Sequence, residues 1–108
     1  SDVAAPASKA FLRPPSSACP RVEIRNRRPG DRFVPAGRRR EKRLKEVLID
    51  LRIPRDERDR LPLVVIDGRI AWIPGVGRDE RFRPRDGEPA WLAEWLVQPD
   101  GDLTDDKR

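Results

Sequence analysis

RRPGDRFVPAGRRREKRLKEVLIDLRIPRDERDR, residues 27–60, is the stretch around which the rest of the chain is arranged. Arg28-Pro29-Gly30-Asp31 fits a type II turn, because proline presets φ at the second position and glycine accepts positive φ at the third. Asp31 then stands between Arg28 and Arg32, where its carboxylate either braces both guanidiniums or caps the turn backbone. Phe33 and Val34 return toward a core, and Pro35-Ala36-Gly37 is a second break. Residues 41–52 read as one amphipathic helix, with Leu44, Val47, Leu48 and Leu51 on a single apolar stripe. Ile53 before Pro54 stops it. On this reading Arg38, Arg39 and Arg40 crowd the helix start, where the helix dipole favours anions. They either form a phosphate site with the free N–H groups or flare into solvent.

Upstream, Val22 and Ile24 alternate with Arg21, Glu23 and Arg25, a short strand with one apolar and one charged face. Residues 1–20 are rich in Ala, Pro and Ser and read as a linker or tail, with Lys9–Leu12 touching the domain. Downstream, residues 55–60 form a charged turn closed by Leu61-Pro62. Leu63–Ile66 is a buried strand by its β-branched content. Asp67-Gly68 is a hairpin signal, and Arg69–Ile73 returns as the partner strand with Ile70 and Trp72 on one face. The helix stripe is expected to pack on Val64, Ile66, Ile70 and Trp72. Trp72 reads as core, with stacking on a base as the alternative. Residues 90–97 fit a helix by Trp91, Leu92, Trp95 and Leu96, or a strand by Trp91, Ala93 and Trp95. The domain is therefore expected over 21–97, with a polar tail over 98–108.

Composition bounds the function. Among 108 residues, 40% are charged and 36% hydrophobic, enough for one small core. Residues 21–46 carry eleven basic and four acidic side chains, a net +7, which leaves −2 for the remainder of a chain at +5. A basic block on a near-neutral body marks an anionic partner, against the plainer reading of a solvated arginine-rich surface. Cys19 is the sole cysteine and histidine is absent, so no internal disulfide and no zinc set exist. No Gly-rich phosphate loop, nucleophile–base pair or histidine base is present, and carboxylates sit beside arginines, as in Arg78-Asp79-Glu80-Arg81. The chain is expected to be non-catalytic by itself and to bind no cofactor. No apolar run approaches the roughly 20 residues of a membrane helix, and no signal peptide is visible. The lone cysteine makes a reducing, cytoplasmic setting the expectation. The absence of methionine points to a piece of a longer protein.

Four blocks also carry a resemblance. Arg25-x-Arg27-Arg28-Pro29-Gly30-Asp31-Arg32-Phe33-x-Pro35-x-Gly37 resembles the opening signature of the C-terminal domain of tRNA(Ile)-lysidine synthetases. Lys42-x-Leu44-Lys45 with Ile49-Asp50, then Ile53-Pro54-x-x-x-Arg58-Asp59-Arg60-Leu61-Pro62-Leu63, then Ile70-x-Trp72-Ile73-Pro74-Gly75 with Arg81-Phe82, follow in the family's order. Residues 38–41 and those after Arg83 depart from the pattern. The resemblance implies a small layered α+β domain of short antiparallel strands with one main amphipathic helix, similar to part of the phenylalanyl-tRNA synthetase β-chain. It makes residues 90–97 a strand. It implies a domain that helps hold tRNA near the acceptor stem, while a separate N-terminal catalytic domain uses ATP to attach lysine to the wobble cytidine, in the bacterial cytoplasm. Arg25, Arg27, Arg28, Arg32, Arg38, Arg39, Arg40, Lys42 and Lys45 are the candidate RNA contacts. Pro29, Gly30, Asp31, Pro54, Arg58, Asp59, Pro62, Trp72, Pro74 and Gly75 are the structural motif. The partners expected are tRNA, the chain's own catalytic domain and possible further copies. The alternative is a module that docks on that catalytic domain or a second subunit without touching RNA.

Overall fold

β5 (Leu63–Ile66) and β6 (Arg69–Ile73) fold back on each other across Asp67 and Gly68 in the computed structural model, which describes residues 8–96. Both turn residues take positive φ, 50° and 83°, as a two-residue type I′ hairpin requires. β2 (Val22–Arg25) pairs antiparallel with β5, and β7 (Gly77–Arg78) with β6, giving a four-stranded sheet in the order β2-β5-β6-β7. All four residues of β5 are buried, so this strand is covered on both faces. β2 is an edge strand. Its apolar residues do not face a core as expected, since Val22 and Ile24 are 53% and 55% exposed.

The two faces of the sheet carry separate cores, and a bulge decides which residue joins which. Val64 lies opposite Trp72 and Val65 opposite Ile70, which leaves Ala71 as the extra residue. The insertion breaks the strict alternation along β6. Ile70 and Ile73 therefore pack with Leu63, Val65, Phe33 and Leu61 on one side. Ala71 and Trp72 pack with Val64, Ile66, Leu12 and Phe82 on the other. The expectation that Ile70 and Trp72 share a face is thus corrected. Trp72 is 4% exposed, which closes the stacking alternative for it.

The helix covers the first side. α1 runs over Leu44–Asp50, not 41–52, and buries Leu44, Val47 and Leu48 against Leu63, Val65, Ile70 and Ile73. Val64, Ile66 and Trp72, also expected beneath it, lie on the opposite face. Residues before Leu44 are unavailable to the helix because β3 (Arg32–Phe33) pairs with β4 (Lys42–Arg43). The Leu44 N–H extends this ladder by donating to the Asp31 carbonyl at 2.9 Å. At the other end Leu51 is 53% exposed. The chain leaves the helix there through Arg52, at φ 61°. The Arg52 N–H donates to the Ile49 carbonyl and the Ile53 N–H to the Leu48 carbonyl, a Schellman closure that turns Ile53 back onto the core. The four-residue helix α2 (Arg55–Arg58) follows Pro54.

A ribbon covers the second side. β1 (Ser8–Leu12) lies in the segment read as linker or tail. It pairs antiparallel with β8 (Trp91–Trp95), with Ala10 opposite Ala93 and Leu12 opposite Trp91. Ala10, Leu12, Ala93 and Trp95 face the core, while Lys9, Phe11, Leu92 and Glu94 alternate outward. Residues 90–97 are accordingly a strand as far as Trp95. Val97, the 98–108 tail and residues 1–7 lie outside the described residues. The whole is a layered α+β arrangement of helix, antiparallel sheet and ribbon. No helix among the described residues is long and apolar enough to cross a membrane.

Leu48, with no exposure, is the centre of the helix-side core. Leu48→Ala is expected to lower unfolding free energy by about 2–5 kcal/mol in urea titrations. A loss below about 0.5 kcal/mol, the range of an uninvolved surface site, would contradict this packing.

Candidate nucleic-acid interface

The turn read from Arg28-Pro29-Gly30-Asp31 is present. The Asp31 N–H donates to the Arg28 carbonyl at 3.2 Å, and Gly30 has φ 88°, which the type II geometry demands of its third residue. The Asp31 carboxylate takes both proposed roles, but with a different arginine. Oδ2 accepts the Arg28 N–H at 2.7 Å, which caps the turn. Both oxygens bind the Arg25 guanidinium at 2.9 and 3.0 Å, and neither Arg28 nor Arg32 is braced. The side chains of Arg25 and Asp31 are only 15% and 11% exposed. Burial alone would raise the Asp31 pKa. The Arg25 guanidinium and the Arg28 N–H outweigh it and hold the group below the usual carboxylate value.

Beside this turn lies a cleft of about 950 Å³, formed where the turn, the β4–α1 junction and α2 meet. Arg27, Arg28, Arg32, Arg43, Lys45, Arg55 and Arg58 line it, with Asp31 and Asp59 as the acidic members and Pro29, Gly30 and Leu44 completing the wall. No aromatic side chain lines it. Arg27 is held by Asp59 through Nε at 2.9 Å, and Arg58 by the Ile53 carbonyl through Nε at 2.9 Å. Arg28, Arg43, Lys45 and Arg55 are exposed and make no side-chain hydrogen bond or ion pair among the described residues. Asp31 and Asp59 are each engaged by an arginine, so the cleft presents an excess of unengaged cations.

Of the nine candidate contacts, Arg27, Arg28, Arg32 and Lys45 come together in this cleft. Arg25 is bound to Asp31 behind the turn, and Lys42 pairs with Asp50 at 2.9 Å. Arg32 also reaches Glu41 at 3.3 Å. Arg38, Arg39 and Arg40 are exposed on the loop between β3 and β4 and are not among the lining residues. They do not start a helix, so the conflict with the helix dipole does not arise. Arg43 and Arg55 line the cleft but were not among the candidates, and Arg58 was read as structural only. No sequence signal set Arg43 apart from Lys42 and Lys45, which flank it and were named, and Arg55 sat in an undifferentiated charged run.

Of the structural-motif residues, Pro29, Gly30, Asp31, Arg58 and Asp59 line the cleft, and Trp72 lies in the ribbon-side core. Pro54 precedes α2, and the Leu61 carbonyl before Pro62 accepts the Asn26 side-chain amide at 3.1 Å. Pro74 is fully buried and Gly75 has φ 80° in a turn closed by the Val76 N–H on the Ile73 carbonyl.

Three comparisons bear on this arrangement. The family model described as the TilS substrate C-terminal domain matches residues 22–95. A tRNA(Ile)-lysidine synthase of Symbiobacterium thermophilum is 53% identical over 66 residues, covering 61% of this chain and 14% of that protein. One from Persephonella marina is 56% identical over 59 residues, covering 55% of this chain and 13% of that protein. The chain therefore spans about one seventh of the length of these relatives. A crystal structure of a TILS C-terminal domain superposes with a TM-score of 0.65 at 36% identity, covering 85% of this chain and 72% of that one.

The Arg25–Asp31 brace has a pH signature. Because the folded-state pKa of Asp31 is depressed, its contribution is present above the unfolded value of about 3.9 and is lost as pH falls through the folded value. Asp31→Asn should therefore be less stable than the wild type near neutrality, and the gap should close as pH drops below about 4. Denaturant midpoints across that range test this. A gap independent of pH would mean that the carboxylate charge is not what braces the turn.

Proposed function

The chain belongs to the TilS substrate C-terminal domain family, and from that premise we propose that it is an accessory, tRNA-gripping domain of a tRNA(Ile)-lysidine synthase. One observation carries the reading: a cleft of about 950 Å³ in which seven cations face two carboxylates, both already engaged by arginine. The contact is to phosphates. Guanidiniums match phosphate geometry, and no aromatic side chain lines the cleft to stack on unpaired bases. A double-helical stem, the acceptor stem by family resemblance, presents such phosphates, and in A-form RNA the narrow major groove leaves shape and backbone as the main handles. Adenylation of the wobble cytidine and lysine transfer belong to a separate N-terminal catalytic portion, which holds ATP, in the bacterial cytoplasm. This domain contributes position and affinity, not chemistry.

The docking alternative has an observation of its own. Phe11 and Leu92 face each other across the β1–β8 ribbon on its outer side, 56% and 55% exposed. That side is distinct from the cleft lining, so docking on the catalytic portion through the ribbon is compatible with RNA in the cleft. Docking without RNA contact predicts binding to that portion and none to tRNA.

Two results are expected. First, affinity for a tRNA(Ile) transcript should fall with salt, with a log–log slope of about −3 to −4 if about four phosphates are neutralised. Arg28→Ala with Arg55→Ala should flatten that slope by about 2, and Arg85→Ala, away from the cleft lining, should leave it unchanged. The triple replacement of Arg38, Arg39 and Arg40 by Ala should flatten it less than the cleft pair. A salt-independent wild type would overturn phosphate gripping, and an unchanged slope in the cleft pair would remove the cleft from the contact. Second, the chain alone should neither consume ATP nor modify tRNA in a single-turnover assay. ATP-dependent modification by the purified chain would overturn the accessory role.

A further inference from the structure

Two of the cleft arginines are held more tightly than the rest, since Arg32 reaches Glu41 only at 3.3 Å with its side chain 48% exposed. Arg27 Nε donates to Asp59 Oδ1 at 2.9 Å, and the Arg27 side chain is 21% exposed. Arg58 Nε donates to the carbonyl of Ile53 at 2.9 Å, and the residue is half-buried. In each, the anchor uses Nε. The terminal nitrogens, which carry four of the five N–H donors, have no partner among the described residues. A guanidinium fixed this way has already lost much of its rotamer freedom before a ligand arrives. It presents the two-nitrogen edge that binds a phosphate through parallel hydrogen bonds.

Resting on the reading of the cleft as a phosphate-binding site, we propose that Arg27 and Arg58 form a pre-set phosphate clamp and that Asp59 is the positioning residue for Arg27. The role of Asp59 is otherwise hard to reconcile with the site. Its side chain is 72% exposed, so as a surface ion pair it contributes little to the fold. As a bare charge it opposes any polyanion entering the cleft. Orienting Arg27 resolves both points, since what the carboxylate loses in direct repulsion it returns by fixing the donor fork.

The two accounts of Asp59 predict opposite signs. If it acts only as a charge, Asp59→Asn makes the cleft more positive and tightens RNA binding. If it positions Arg27, Asp59→Asn weakens binding although the net charge has become more favourable. Affinity for a tRNA(Ile) transcript at fixed moderate salt, measured for the wild type, Asp59→Asn, Asp59→Glu, Arg27→Ala and the Asp59→Asn/Arg27→Ala pair, separates them. Asp59→Asn is expected to weaken binding about threefold to tenfold, the scale of the side-chain freedom returned to Arg27. Asp59→Glu should restore most of the loss. In the Arg27→Ala background, Asp59→Asn should no longer weaken binding and should tighten it slightly, because only the charge effect remains. Arg58→Lys should weaken binding several-fold with an unchanged salt slope, since the charge stays and the fork is lost. Thermal melts that match the wild type will confirm that Asp59→Asn is folded, as its exposure implies. Asp59→Asn binding as tightly as the wild type or tighter would overturn the positioning role, as would an equal weakening with and without Arg27. A wild type that fails to bind the transcript at low salt would instead overturn the phosphate-binding reading, and this clamp with it.

Discussion

Asp79, a carboxylate with no solvent exposure, ties the layers of this domain together. Its oxygens accept the Val34 N–H at 2.9 Å, the Arg81 N–H at 2.8 Å, and the Arg81 Nε and Nη2 at 3.0 and 2.9 Å. Its own N–H donates to the carbonyl of Ala71, the bulged residue of β6. A buried charge is tolerable only when paired and fully hydrogen-bonded, and losing one partner from such a pair typically costs about 3–5 kcal/mol. The network does not stop in the core. Arg81 Nη1 reaches Glu41 at 2.9 Å, and Glu41 accepts from Arg32 at 3.3 Å. Arg32 lines the cleft. A continuous chain of charge-assisted hydrogen bonds therefore runs from the centre of the fold to the rim of the basic site.

The bulge at Ala71 explains why such a small domain sustains two cores. Without the extra residue, β6 would send Ile70 and Trp72 to the same face and leave the other short of apolar area. With it, one face receives Ile70 and Ile73 for α1, and the other receives Trp72 for the ribbon. The same arrangement sets the cleft. α1 packs with Leu44 fully buried, which fixes Lys45 beside the turn of residues 28–31, and the Schellman closure at Arg52 and Ile53 carries the chain to α2. Arg58 is held by the carbonyl of that same Ile53. Helix packing, chain reversal and the position of a cleft arginine are thus linked through two adjacent residues.

Much of this was legible in the residues. The hairpin at Asp67-Gly68, the turn at Pro29-Gly30 and the buried pattern of Leu63–Ile66 follow from local chemistry, and the structure has them. The family resemblance rested on motifs in register and tipped the reading of Trp91–Trp95 to a strand, where Trp91, Leu92, Trp95 and Leu96 fitted a helix and Trp91, Ala93 and Trp95 a strand. What was not legible is non-local. A strand at Ser8–Leu12 exists only because Trp91–Trp95 is there to pair with it, and its Ala- and Ser-containing surroundings read as linker. The helix start slipped from 41 to 44 because the apolar stripe says nothing about whether Lys42 and Arg43 are claimed by Arg32 and Phe33. Arg78-Asp79-Glu80-Arg81 reads as ion pairs, and the Asp79–Arg81 pair is there, but nothing in the run singles out Asp79 as the member with no solvent exposure. The cleft was legible as a basic block but not as a list of members, because Arg43, Arg55 and Arg58 join it only through the path of the chain.

The division of labour among the arginines follows from one electrostatic constraint. Cations gathered around a cleft repel one another, and a fold with a small core cannot absorb that repulsion freely. In this chain the arginines nearest the core carry the structural pairing: Arg25 with Asp31 and Arg81 with Asp79 are both largely shielded, and each guanidinium is held more firmly charged by its partner. The arginines that line the cleft are either exposed, where solvent and salt screen them, or tethered through Nε with the terminal nitrogens left open. The pairing that stabilises the fold therefore consumes few of the donors that an anion would use. The repulsion that remains is what an incoming polyanion would relieve, so on the proposed reading the unengaged charges, rather than the paired ones, would supply the affinity.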